Sequence, residues 1–335
     1  MIRLSNRFAG ALALVALFLP ITQAVAQQDV PAAPQQQAPS EQAPSAPAPA
    51  AAEPVFPKPN PANFTATAPD KDTINAFLQA SWGYDDTRVW EIWAIEKTEV
   101  EGISKVVLLV GDKSGKMKIT VAQFYVLPDG KHIFVGDDIM PFGAKPFADA
   151  RALVQQRADG PYRGSASKDL EFVEFADFQC PHCKDAQANM DKLAVDFPKA
   201  RIVFQNFPLA QHAAAATAAA YGYCVTKQGG SNAFFTYAAA VFDGQDGLSS
   251  ADGATLTLNS SVTKAGLDPV AIAACAKTPA ALAAVDAMVK LAHDLNINQT
   301  PTLLINGRPV PATAPYDTIK QIILFQAKMD GVAAQ

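Results

Sequence analysis

Cysteine is scarce in this sequence and comes late: four residues in 335, the first of them Cys180. With no cysteine near the N-terminus, a lipid anchor on a processed N-terminal cysteine is excluded. Charge is thin as well. Charged residues make up 18% of the chain, no lysine or arginine run occurs, and the net charge is −5. An acidic chain without a basic patch is not a nucleic-acid binder. What is abundant is apolar: 49% of residues are hydrophobic, which supplies a globular core and rules out wholesale disorder.

Arg3 and Arg7 precede an apolar run from Phe8 to Leu19, and Pro20 leads on to Ala24-Val25-Ala26. This order of charge, apolar stretch and small residues predicts a signal peptide over 1–26, cleaved after Ala26, with an uncleaved anchor as the alternative. Export predicts a periplasmic protein whose four cysteines sit where disulfides persist. Four cysteines allow three pairings, and spacing alone selects none of them. Residues 27–69 read as a disordered Pro/Ala/Gln linker. Ten prolines fall between Gln27 and Asn63 with almost nothing to bury, so the tether leans to extended polyproline geometry.

Order is expected to start near Asp70. A short helix over Thr73–Ser81 would place Ile74, Phe77 and Leu78 on one face. Four apolar runs follow: 89–95, 105–111, 118–127 and 132–139. Asp129-Gly130 is a hairpin signal between the last two. Helical spacing resumes from Pro146 to Gln156. Residues 70–157 therefore read as a small α+β domain without cysteine. GDKSGKMK (111–118) superficially suggests a phosphate-binding loop, but its glycine spacing is one short and Met117 stands where a hydroxyl residue would hold magnesium. A turn is the better reading.

The second domain, 165–335, reads strand (170–177), Cys-x-x-Cys, helix, strand (201–209) and a long Ala-rich helical section (211–296). A strand–turn–strand (300–311) with Asn306-Gly307 at its bend and a closing helix (316–329) follow. With EFADFQCPHCK (174–184) and NQTPTLLINGR (298–308) as anchors, this order resembles the thioredoxin superfamily. It is most similar to the DsbA-like branch, with a helical insertion between the second strand and the hairpin. FYVLPDGKHIFVGDDI (124–139) and the helix after it resemble the N-terminal dimerisation domain of the DsbC/DsbG disulfide isomerases. The implied fold class is α/β: a thioredoxin-like domain with a helical insert, preceded by a small α+β, cystatin-like domain.

Cys180 is expected at the helix N-terminus with Pro181 where a missing N–H costs nothing. There the helix N–H groups and dipole favour a thiolate, with His182 helping, and a stabilised thiolate makes the disulfide oxidising. Cys180 then reads as the exposed attacking cysteine and Cys183 as the buried resolving one. The resemblance implies that Glu174 is a buried carboxylate exchanging a proton with Cys183; strand alternation in EFVEF does not decide its face, and Asp177 is a weaker candidate. It also implies a cis Pro301 opposite the disulfide, with the Thr300 backbone pairing to an extended substrate. Cys224 and Cys275, on separate helices, read as a structural disulfide, with two free buried cysteines as the alternative. A zinc site would need two further ligands, and His212, Cys224, Cys275 and His293 are irregularly spaced, so no metal site is assigned. His212 reads as a helix-start or surface histidine, and His132 and His293 carry no signal.

The implied activity is thiol:disulfide exchange on other proteins with no cofactor. Its implied partners are cysteine-bearing protein substrates, a membrane redox partner and a second copy in a homodimer. The Pro181-His182 dipeptide points to an oxidase and the N-terminal domain to an isomerase. A non-catalytic chaperone, or a copper-binding module on the same fold, is the alternative class.

Overall fold

The computed structural model describes residues 56–334. The expected signal peptide, 1–26, lies outside the described residues, as does the linker up to 55. The rest of the expected linker is ordered. A short turn of 3-10 helix spans Pro61–Asn63, and Phe64 forms a parallel bridge to Ile95. Thr65 and Ala66 both donate their N–H groups to the Ile95 carbonyl, at 2.9 and 3.0 Å. The proline count hid an edge-covering segment, because its hydrogen bonds are made to a strand some thirty residues away.

The chain forms two compact units: residues 56–71 with Asp86–Met140, and Asp72–Asp85 with Pro141–Gln335. In the first, β1 (Arg88–Lys97), β2 (Ser104–Asp112), β3 (Thr120–Val126), β4 (His132–Val135) and β5 (Asp138–Pro141) make one sheet in sequence order. The apolar run 132–139 is two strands, broken at Gly136, whose φ of 60° reverses the chain. Residues 112–117 form the expected turn, closed by the Asp112 carboxylate, which accepts from the Met117 N–H at 2.7 Å.

The second unit takes in more than residues 165–335. Helix α1 (Lys71–Trp82) and helix α2 (Ala148–Arg157), both expected in the first domain, belong to it from Asp72 onward. The buried Arg308 explains α1. Its guanidinium donates to the carbonyls of Ala80 and Ser81 at the helix end and to Gln326 Oε1 at 2.8 Å. Ile74, Phe77 and Leu78 are buried as their spacing predicts.

The second sheet has the order β10-β9-β7-β8-β6, from β6 (Tyr162–Gly164), β7 (Glu171–Ala176), β8 (Arg201–Asn206), β9 (Thr302–Ile305) and β10 (Arg308–Pro311). β7 runs parallel to β8 and antiparallel to β9. β6 escapes sequence reading because it is only three residues long. The β9–β10 hairpin turns at Asn306 (φ 47°) and Gly307 (φ 84°). A Cβ on Gly307 would stand 2.4 Å from the Arg151 nitrogen, so only glycine fits.

Helices α3 (Pro181–Asp196) and α8 (Tyr316–Asp330) cover one face of this sheet through Ala186, Met190, Leu193, Ile319 and Ile323. α2 and α7 (Pro279–Asp294) cover the other through Val154, Leu291 and Ala292. The insert comprises α4 (Ala215–Asp243), α5 (Ala251–Lys264), α6 (Pro269–Ala276) and α7. α4 is two helical segments joined at Gly230, which takes φ 74°. Among the described residues, no single helix is long and apolar enough to cross a membrane.

Candidate active site

β7 is buried on both faces, as a central strand must be, and it delivers the chain to the N-terminus of α3. Cys180 is the N-cap of that helix, with extended backbone (φ −77°, ψ 121°), and Pro181 is its first residue. The Cys180 N–H donates to the Asp177 carbonyl at 3.1 Å, and the Cys183 N–H to the Cys180 carbonyl at 3.1 Å. The Cys180 sulfur is thus held at the helix end whose N–H groups and dipole favour negative charge.

The two thiols are driven apart in acidity. A hydrogen bond from Cys183 is the largest influence on Cys180, taking it down to about 5 against the opposing effect of burial; Thr300 and the N–H groups of Cys183 and His182 assist. Cys183 is fully buried. Burial first, and then its bond to Cys180, hold its thiol far above the usual cysteine range. The unbonded pair therefore consists of a thiolate and a firmly protonated thiol.

Thr300–Pro301 is a cis peptide, and the Thr300 carbonyl lies 3.7 Å from Cys180 Sγ. A carbonyl can only accept from a thiol. The Thr300 hydroxyl is buried and makes no hydrogen bond among the described residues.

Two expectations need correction. Cys180 is only 5% accessible, because the apolar cluster at the helical insert closes around it. The His182 ring points away: its side chain is 74% exposed and Nδ1 lies 3.8 Å from Asp185, so only its backbone favours the thiolate.

Glu174 is buried on the face it shares with Phe172, toward α3. Burial raises its carboxyl to about 7, partly offset by Gln187. Gln187 Nε2 donates both to Glu174 Oε1 (2.8 Å) and to the Cys183 carbonyl (3.0 Å). The carboxyl thus meets Cys183 through an amide that sequence reading missed. Position was the available clue, since Gln187 is one helical turn beyond Cys183.

Three more side chains grip the strand-to-helix turn. Gln245 Nε2 donates to the Phe178 and Cys180 carbonyls at 2.9 and 3.0 Å. Gln179 accepts from the Ala214 N–H (2.8 Å) and donates to the Leu248 carbonyl (3.2 Å). His212, expected at a helix start or on the surface, bonds through Nδ1 to the buried Asp177 Oδ2 at 2.8 Å. All three reach the turn from, or to, the start of the insert and the 3-10 segment Gln245–Ser249, at sequence separations that no local pattern reveals. Cys224 and Cys275 are joined by a disulfide with Cα atoms 6.0 Å apart. No group of three or more His, Cys, Asp or Glu side chains converges as metal ligands among the described residues.

Residues 156–324 match the family described as Thioredoxin, just over half of the chain, and the chain belongs to that family. No curated protein sequence matches it. Among solved structures, a thioredoxin-like oxidoreductase from Silicibacter pomeroyi is 23% identical; the match covers 53% of this chain and 98% of that one, with a TM-score of 0.46. Pseudomonas aeruginosa DsbA2 is 26% identical, with 50% and 94% covered and a TM-score of 0.41. The catalytic domain of Proteus mirabilis ScsC is 19% identical, with 54% and 99% covered and a TM-score of 0.46.

Proposed function

We propose that this protein is an exported thiol:disulfide oxidoreductase acting on cysteines of other proteins, with Cys180 as nucleophile and Cys183 as resolving thiol. The observation that carries this reading is the placement of the pair: Cys180 caps the helix N-terminus beside the cis Thr300–Pro301 peptide, and Cys183 lies buried one turn on. In the reducing direction, the Cys180 thiolate attacks one sulfur of a substrate disulfide. A mixed disulfide forms and the other substrate sulfur leaves as a thiolate, to be protonated. Cys183 then gives up its proton and attacks Cys180 Sγ. The second substrate thiol departs, and the cysteine pair is left oxidised by two electrons. The oxidising direction is the reverse. A thiolate stabilised to about 5 favours the reduced protein, so the Cys180–Cys183 disulfide is a net oxidant. Substrate would lie along the Thr300–Pro301 wall. Action in the periplasm, a homodimer through the first unit and exchange with a membrane redox partner belong to the same reading.

Cys180→Ser is expected to abolish exchange, read by oxidative refolding of reduced ribonuclease and by rearrangement of scrambled ribonuclease. Refolding and insulin reduction both at background for the wild type would sink the proposal. The reduction potential should lie toward about −120 mV, typical of a strong oxidase, and well above about −270 mV, typical of a reductant.

A further inference from the structure

We propose that His212, acting through Asp177, is a positioning residue for the resolving cysteine Cys183. The inference rests on the exchange reaction proposed above. Asp177 touches both cysteines with its backbone: its N–H points to Cys183 Sγ at 3.4 Å, and its carbonyl accepts from the Cys180 N–H at 3.1 Å. Its side chain is completely enclosed. The carboxylate accepts from the Gln179 N–H at 2.7 Å on Oδ1, and from the Leu209 N–H and His212 Nδ1, both at 2.8 Å, on Oδ2. Nδ1 must carry the proton in that contact, since the carboxylate can only accept.

An enclosed carboxylate needs its donors. Gln179 supplies one from within the turn. The other two come from the segment after β8, thirty or more residues away, and so tie the turn to the start of the insert. The backbone N–H of Asp177 gains most when Cys183 becomes anionic, because hydrogen bonds to charged acceptors are the stronger ones. That moment is the second half of the exchange, when Cys183 loses its proton and attacks the mixed disulfide at Cys180. Removing the His212 donor leaves Oδ2 short of a partner, lets the carboxylate turn, and takes the Asp177 N–H off the sulfur. The first half, attack by Cys180, does not use that N–H.

The test mixes the reduced full chain with oxidised glutathione, quenches with acid at short times and counts the mixed disulfide by mass. Wild type should pass through the mixed disulfide with little accumulation. His212→Leu should slow the second step about tenfold or more, the scale of one hydrogen bond to a charged group, and so accumulate it. The first step should stay within about twofold. His212→Asn, whose amide N–H sits where Nδ1 does, should restore the wild-type ratio of steps. Should His212→Leu not fold, His212→Gln carries the same comparison, with the amide one bond further out. An unchanged ratio of steps in the variant, even with a lowered melting temperature, would overturn the inference and leave the pair a merely structural tie. A wild type that shows no exchange at all would overturn the redox reading and this inference together, and that arm is read first.

Discussion

The molecule contains two cysteine pairs that border the same apolar cluster and share almost nothing else. Cys180 and Cys183 are three residues apart at a helix N-terminus. Cys224 and Cys275 are 51 apart, on α4 and α6, with Val225, Phe234, Tyr237 and Ile272 in the cluster around them. Burial does not separate the pairs, since Cys180 is itself only 5% accessible. The difference is what surrounds the sulfur. Cys180 has N–H groups, a protonated neighbour and the Thr300 wall, all of which favour charge. Cys224 lies mid-helix, where the backbone N–H groups are spent within the helix. Polar groups aimed at the sulfur, rather than exposure, set the Cys180 thiol apart.

Removing the second pair should have the largest effect on stability and the least on exchange. Cys224→Ala with Cys275→Ala releases a loop of about fifty residues, a loss of about 4 kcal/mol in the chain-entropy picture, read by urea unfolding. The potential of Cys180–Cys183 should stay put. If exchange fell in step with stability, the two pairs would not be independent and the comparison would break.

Glu174 gives the next effect, and it is found beneath the reactive pair. Its folded carboxyl lies at about 7, above the usual unfolded value, so the folded state holds the extra proton. Stability is therefore full below the unfolded pKa and is lost as pH rises through about 7. Glu174→Gln should remove that loss, worth about 3 kcal/mol at pH 8 and nothing near pH 4. Glu171, also raised to about 7 by burial, adds its own share to the wild-type slope, so the difference between wild type and variant is the quantity to measure. An equal effect at both pH values would mean that the Glu174 carboxyl titrates alike in the folded and unfolded chain.

Much of this was legible in the sequence, and what was missed has a common cause. Strand order, Asn306-Gly307 and the two cysteines at a strand-to-helix junction are local patterns or depend on one. The assignment of α1 is not, since Arg308 fixes it from more than two hundred residues away. Asp177 offered half of its signal: an aspartate two residues before an N–H that it accepts, at a helix entrance, is a local turn motif. Its partner His212 is visible only once β8 and the segment after it lie beside β7. The restricted accessibility of Cys180 was hidden for the same reason, because the insert that covers it is distant in sequence.

The redox state of the reactive pair should itself shift stability, by a smaller amount. The oxidised pair does not titrate, whereas reduced Cys180 has a folded pKa of about 5, below its unfolded value. The stabilisation this gives the reduced fold is present above the unfolded pKa of about 8.5 and lost as pH falls through about 5. At pH 7 the reduced protein should be the more stable by about 2 kcal/mol, after a discount for solvent screening. A more stable oxidised form would reverse the predicted direction of electron flow.

The smallest effect is the most specific to this pair. Between pH 5 and pH 8 the reduced site holds one proton, on Cys183, because Cys180 is a thiolate and Cys183 is held far up the scale. Two electrons then travel with one proton, and the potential should fall by about 30 mV per pH unit. Below about pH 5 Cys180 takes up its own proton, two protons accompany the two electrons, and the slope should double to about 60 mV. A thiol–disulfide titration against glutathione from pH 4 to pH 8 reads this directly. The bend locates the Cys180 pKa in the working protein without a variant. A pair whose thiols both stay protonated when reduced would keep the steeper slope throughout, so a straight line at about 60 mV would erase the chemical distinction between the reactive cysteines and the inert ones.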